Sequence, residues 1–77
     1  MNINQDQLII FITVMETGSF SAAARQLGKV PSSISMSIAN LEIDLDLKLF
    51  ERVGREPLPT PQAQSLYEKS KQLLIEM

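Results

Sequence analysis

The sequence has no cysteine and no histidine, and these two gaps narrow what its 77 residues can do. Without cysteine there is neither a disulfide staple nor a thiolate metal site. Without histidine the usual imidazole ligand and the commonest general base at neutral pH are missing. Glu42, Asp44 and Asp46 are the only close acidic cluster, and their spacing spreads them around a helix end with no His or Cys beside them, so neither a metal nor an acid–base site is expected. Long apolar runs are absent. "LIIFI" (Leu8 to Ile12) is far short of the roughly 20 residues that cross a bilayer, and too short for a secretion-signal core. There are no repeats, low-complexity tracts or Gly/Ser linkers. The chain therefore reads as one small soluble domain of cytoplasmic type, near the lower size limit for a single core. Positive charge is scarce too: 7 basic residues face 9 acidic ones, and no Lys or Arg lies between Val30 and Leu47. Taken as a sum, that balance argues against a polyanionic partner, whose phosphates are normally neutralised by Lys and Arg. Where the charges fall matters more than the sum.

What is present is a sequence of well-marked helices. Asn4 with Gln7 three residues later has the form of a capping box, and Leu8, Phe11, Ile12 and Met15 follow at helical spacing. Ile9, Ile10 and Val14 are apolar as well, so this helix needs two partners. Gly18 is placed to close it in the left-handed conformation. Ser19 then caps a second helix through Ala22, Ala23, Ala24 and Leu27 to Gly28. After the corner "GKV", Pro31 suits the first turn of a third helix, with Ile34, Ile38, Leu41 and Leu45 as its buried stripe. "LKLFERVGREPLP" has a strand-like run, a turn at Gly54, and Pro57 and Pro59, which confine the return strand to an edge. Thr60 caps a last helix with Pro61 at its first position. The order predicts a mainly α fold, a winged helix-turn-helix: a three-helix core, a short β-hairpin wing and a long C-terminal helix.

These residues resemble the N-terminal DNA-binding domain of LysR-type transcriptional regulators. The matching stretches are "F…V.ETGSFSAAARQLG" (Phe11 to Gly28), Ser35 inside the third helix, "I..LE" (Ile38 to Glu42), "LFER..R" (Leu49 to Arg55) and "L.T" (Leu58 to Thr60). The chain departs from the family at the third helix, where Pro31-Ser32 replaces Gln-Pro and Met36 stands where Arg is common. Ala39 and Asn40 replace basic residues, and Asp46 stands where Gly is frequent.

The resemblance implies sequence-specific binding of double-stranded DNA, with the third helix in the major groove and the wing on the backbone or minor groove. Phosphate contacts position a protein and base-edge contacts specify, so the two tasks can be divided. Pro31, Ser32, Ser35 and Met36 are the expected base readers. Ser21, Arg25, Lys29, Ser33, Lys48, Arg52 and Arg55 are the expected backbone contacts, five of them cations framing an uncharged helix. Helix-opening N–H groups also donate to phosphate without charge. Absence of an Arg–guanine pairing in this helix implies modest direct readout, with A·T-rich, shape-dependent recognition sharing the task. Glu42 is expected to pair with Arg52. The contrasting reading is a winged-helix protein–protein module that has lost DNA binding.

The last helix carries Ala63, Leu66, Tyr67, Leu73, Leu74 and Met77 on one broad face. Its expected counterpart is the spare side of the first helix, Ile10 and Val14, met within the chain or across a homodimer. The resemblance implies the latter, through paired linker helices. It divides the chain into a DNA-binding domain, 1–59, and a linker or dimerisation helix, 60–77, read as truncated. The family's further C-terminal domain takes a small-molecule effector, and full-length members can be tetramers. No cofactor, catalytic residue, metal or membrane partner is expected, and the setting implied is bacterial, cytoplasmic and nucleoid-associated.

Overall fold

The computed structural model describes residues 4–53 and 56–76, with side chains in 4–51 and 56–72. The elements are α1 (Gln5–Thr17), α2 (Phe20–Leu27), α3 (Pro31–Leu45), β1 (Phe50–Val53), β2 (Glu56–Pro59) and α4 (Pro61–Glu76). The expected turn at Gly54 and the expected apolar face of Leu73, Leu74 and Met77 lie outside the described residues and side chains.

Each boundary has a local cause. The Asn4 side chain accepts from the Gln7 N–H at 2.8 Å, and the Gln7 side chain accepts from the Asn4 N–H at 3.1 Å. This reciprocal box satisfies two of the amides that every helix start leaves without partners. Gly18 ends α1 at φ 74° and Gly28 ends α2 at φ 68°. A Cβ at either glycine would meet nothing within 4 Å, so the requirement is the left-handed backbone and not space. The Ser19 hydroxyl accepts from Ala22 N–H at 3.2 Å, and the Thr60 hydroxyl from Ala63 N–H at 3.2 Å. Pro31 and Pro61 stand at the first positions of α3 and α4, where their missing N–H costs nothing.

The core lies where α1, α2, α3 and the root of the hairpin converge. Phe11, Val14, Ile34, Leu41 and Leu49 are fully buried, with Ile38, Ala23, Ala24 and Ala63 beside them. Phe50 carries the hairpin into this core. Its ring lies 6.0 Å from Phe11, tilted at 54°, and 6.0 Å from Phe20, edge-on at 87°. Such pairs add about 0.5–1.5 kcal/mol beyond the area they bury. The hairpin is a two-stranded antiparallel sheet in the register Phe50↔Pro59, Glu51↔Leu58, Arg52↔Pro57, Val53↔Glu56.

The two apolar sides of α1 are both occupied within the chain, because α1 packs against α2, α3 and also α4. Ile10 and Val14 retain only 4% and 1% of their exposure. They were expected to meet a counterpart within the chain or across a homodimer, and in the single chain its own core covers them. α4 is held there by a polar tie as well, the Tyr67 hydroxyl donating to Glu16 Oε2 at 3.0 Å. Leu66 and Tyr67 are half-buried against the core, and the Lys71 Nζ stands 5.2 Å above the Tyr67 ring.

Candidate nucleic-acid interface

The corner between α2 and α3 is built from backbone bonds. Lys29 N–H donates to Ala24 C=O at 2.8 Å, and Gly28 N–H to Arg25 C=O at 3.4 Å. These bonds satisfy two of the last four carbonyls of α2 and turn the chain sharply into Val30. Val30 caps α3 by backbone position alone, with no side-chain capping bond. The start of α3 therefore presents backbone to its surroundings, not a capping hydroxyl. Ile34, Ile38 and Leu41 face the core, which leaves the opposite side of the helix outward.

That outward side is neutral. Val30, Pro31, Ser32, Ser33, Met36, Ala39 and Asn40 are exposed, with Val30 at 58% and Met36 at 66%. A helix of 15 residues is roughly 22 Å long, and a projecting helix of ordinary girth fits a major groove about 12 Å wide. Three expected base readers, Pro31, Ser32 and Met36, share this side. The fourth, Ser35, is half-buried and lines a small cleft with Phe20, Ile38, Ala39, Glu42, Lys48 and Phe50. It stands on the flank of α3 nearest the hairpin.

The cations frame the helix at both ends. Arg25 and Lys29 are exposed on the corner before α3, and Lys48 is exposed just after it. Ser21 is exposed in the opening turn of α2, and Ser33 in that of α3. The side chains of Arg52 and Arg55 lie outside those described. Along α3 itself the surface passes from neutral to negative. Asp44 and Asp46 are exposed near its C-terminal end, so only the N-terminal portion suits close approach to phosphate.

Two polar residues take positions that sequence reasoning placed incompletely. Glu42 Oε2 accepts from Leu49 N–H at 2.7 Å and Phe50 N–H at 3.2 Å. Its observed partners are thus backbone amides at the hairpin root, while the expected partner, Arg52, has its side chain outside those described. Thr60, foreseen only as a cap, also donates its hydroxyl to Lys48 C=O at 2.7 Å, and its N–H to Leu49 C=O at 3.0 Å. Val30 was not singled out as an outward-facing residue, whereas Asn40, exposed here, was expected opposite the buried stripe. The 3.6-residue period from the buried Ile34 and Ile38 is the signal that places Asn40 there.

Among the described residues no group of three or more His, Cys, Asp or Glu is placed to hold a metal ion, and no helix is long and apolar enough to cross a membrane.

Known proteins share this geometry. Residues 5–64 match the family model described as bacterial regulatory helix-turn-helix protein, lysR family. The chain is 77% identical over 77 residues to the HTH-type transcriptional regulator AceR of Acinetobacter baumannii, covering all of this chain and 26% of that protein. Among solved structures, the complex of BenM DBD with benA site 1 DNA superposes with a TM-score of 0.91 at 32% identity, covering 96% of this chain and 83% of that one. The CbnR DBD–DNA complex superposes with a TM-score of 0.89 at 32% identity, covering 94% of this chain and 83% of that one. The chain spans about a quarter of the length of the curated relatives it matches.

Proposed function

Because the chain belongs to the lysR family of bacterial regulatory helix-turn-helix proteins, we propose that it binds double-stranded DNA sequence-specifically, as the DNA-binding portion of a transcriptional regulator. The observation that carries this reading is the neutral outward side of α3, set between exposed cations on a fold that matches two protein–DNA complexes. In this reading Pro31, Ser32, Ser35 and Met36 meet base edges: serine hydroxyls pair with several of them, and Pro31 and Met36 touch thymine methyls. Ser21, Arg25, Lys29, Ser33, Lys48, Arg52 and Arg55 hold the backbone. Residues 1–59 form the DNA-binding unit and 60–77 a linker helix, through which two copies address two half-sites. An effector-binding domain beyond this chain supplies regulation in the whole protein. The molecule works without catalysis or cofactor, in the bacterial cytoplasm.

The decisive measurement is anisotropy of labelled duplexes selected from random DNA, titrated across salt. The logarithm of affinity should fall linearly with that of salt, by about 0.9 per phosphate contacted. No binding at low salt would leave the protein–protein module as the surviving reading.

A further inference from the structure

The hairpin is poorly equipped to fix its own direction. Pro57 and Pro59 remove two donors from the four residues of β2, leaving Glu56 and Leu58 as its only N–H groups. Burial of Leu49 and Phe50 anchors the root in the core, but the hydrophobic effect itself is non-directional. Direction comes from polar contacts on segment 48–50. From one side the half-buried Glu42 takes the Leu49 and Phe50 amides on a single carboxylate oxygen. From the other, Thr60 takes the Lys48 and Leu49 carbonyls. Glu42 belongs to α3, three residues beyond the exposed Ala39, so its grip references the hairpin directly to the helix proposed to enter the groove. A carboxylate at such a place is otherwise unfavourable beside a polyanion, whereas a charge-assisted bond to two amides is among the stronger polar contacts a protein makes.

We infer that Glu42 is a positioning residue for DNA recognition: its carboxylate, bound to the Leu49 and Phe50 amides, sets the angle at which the hairpin leaves α3 and so aligns hairpin and helix on one duplex. This rests on the DNA-binding reading above. Glu42 itself touches no DNA.

The test compares the parent chain with Glu42→Ala, Glu42→Gln and a core control, Ile38→Val, on duplexes selected by the parent. In Glu42→Ala the Leu49 and Phe50 amide resonances shift and exchange faster with solvent. Affinity falls roughly tenfold, the scale of one charge-assisted hydrogen bond. Hydroxyl-radical protection is lost at the flanks of each half-site and kept at its centre. Glu42→Gln, which retains an acceptor oxygen, falls between the two and decides the matter alone if the alanine variant does not fold. Ile38→Val loses thermal stability but keeps parental affinity and flank protection. The inference is overturned if Glu42→Ala and Glu42→Gln bind with parental affinity and full flank protection. It is equally overturned if they lose protection uniformly, in step with Ile38→Val at equal loss of melting temperature. A parent chain that binds no duplex overturns the DNA reading and this inference together, a result distinct from the other two.

Discussion

Asp46 closes α3 at φ 54° and ψ 43°, the left-handed region that glycine enters freely and other residues enter at a cost. Its N–H donates to Ile43 C=O at 3.2 Å and the following Leu47 N–H to Glu42 C=O at 3.1 Å, so the conformation is held by the two bonds that end the helix. A carboxylate there also meets the negative end of the helix dipole. Asp46→Gly should therefore stabilise the fold by about 0.5–1 kcal/mol, read as a higher midpoint in thermal or urea unfolding. An unchanged midpoint would show that the aspartate is unstrained. Ser70 is the opposite case. It is fully buried on α4, and its hydroxyl has no hydrogen-bond partner among the described residues. Ser70→Ala should raise stability by roughly 1 kcal/mol, the scale of an unsatisfied buried hydroxyl, and leave DNA affinity as it was. Asp46 was legible in the sequence because it occupies a helix-ending position usually held by glycine. Ser70 was not, since its polarity suggests the surface. Its spacing of seven from Ala63 and three from Tyr67 puts it on the inner stripe all the same.

Helix α3 separates two kinds of substitution that a charged recognition helix would confuse. Its outward side carries no formal charge from Val30 to Asn40, so in the proposed reading the cations that raise affinity and the residues that set preference fall on different elements. Alanine at Arg25, Lys29 or Lys48 should weaken binding to every duplex alike and lower the salt slope by about one unit each. Alanine at Met36 or Ser35 should change which sequence is preferred, leaving the slope intact. Selection from random DNA with each variant checks both halves, and an unchanged preference for the latter pair would remove them as readers. Elements of this kind were legible because each boundary carries its own signal: a box at Asn4 and Gln7, glycines at 18 and 28, prolines at 31 and 61. The contacts between elements were not. The Glu42 carboxylate reaches seven and eight residues ahead to main-chain amides, which any residue but proline offers. No side-chain pattern marks such a partner, whereas an arginine is a recognisable partner for a carboxylate. Thr60 is similar: its cap follows a local rule, while its bond to Lys48 C=O depends on how the hairpin folds back.

For the molecule as a whole, a net charge of −2 is compatible with a proposed polyanionic ligand if charge is distributed unevenly, and in the proposed reading binding is also shared between copies. A lone recognition helix without an arginine reader forgoes roughly 1–3 kcal/mol of discrimination per lost bidentate contact, and a second half-site bound through the same assembly offsets that loss. In the proposed dimer the surface joining the copies is assigned to α4 and not to the side of α1 that carries Ile10 and Val14, which are enclosed within the chain. The two places make opposite predictions. Val14→Ala should cost roughly 2 kcal/mol through the cavity it opens, seen as a lower melting temperature, with no change in self-association at matched folded fraction. Leu74, on the sequence face of the last helix expected to join the copies, is tested by Leu74→Glu. That substitution should abolish the concentration dependence of the sedimentation coefficient and weaken binding to paired half-sites while sparing single ones. If Val14→Ala dissociated the assembly and Leu74→Glu did not, the contact between copies would have to pass through α1, and the enclosed face seen in the single chain would have to open on association.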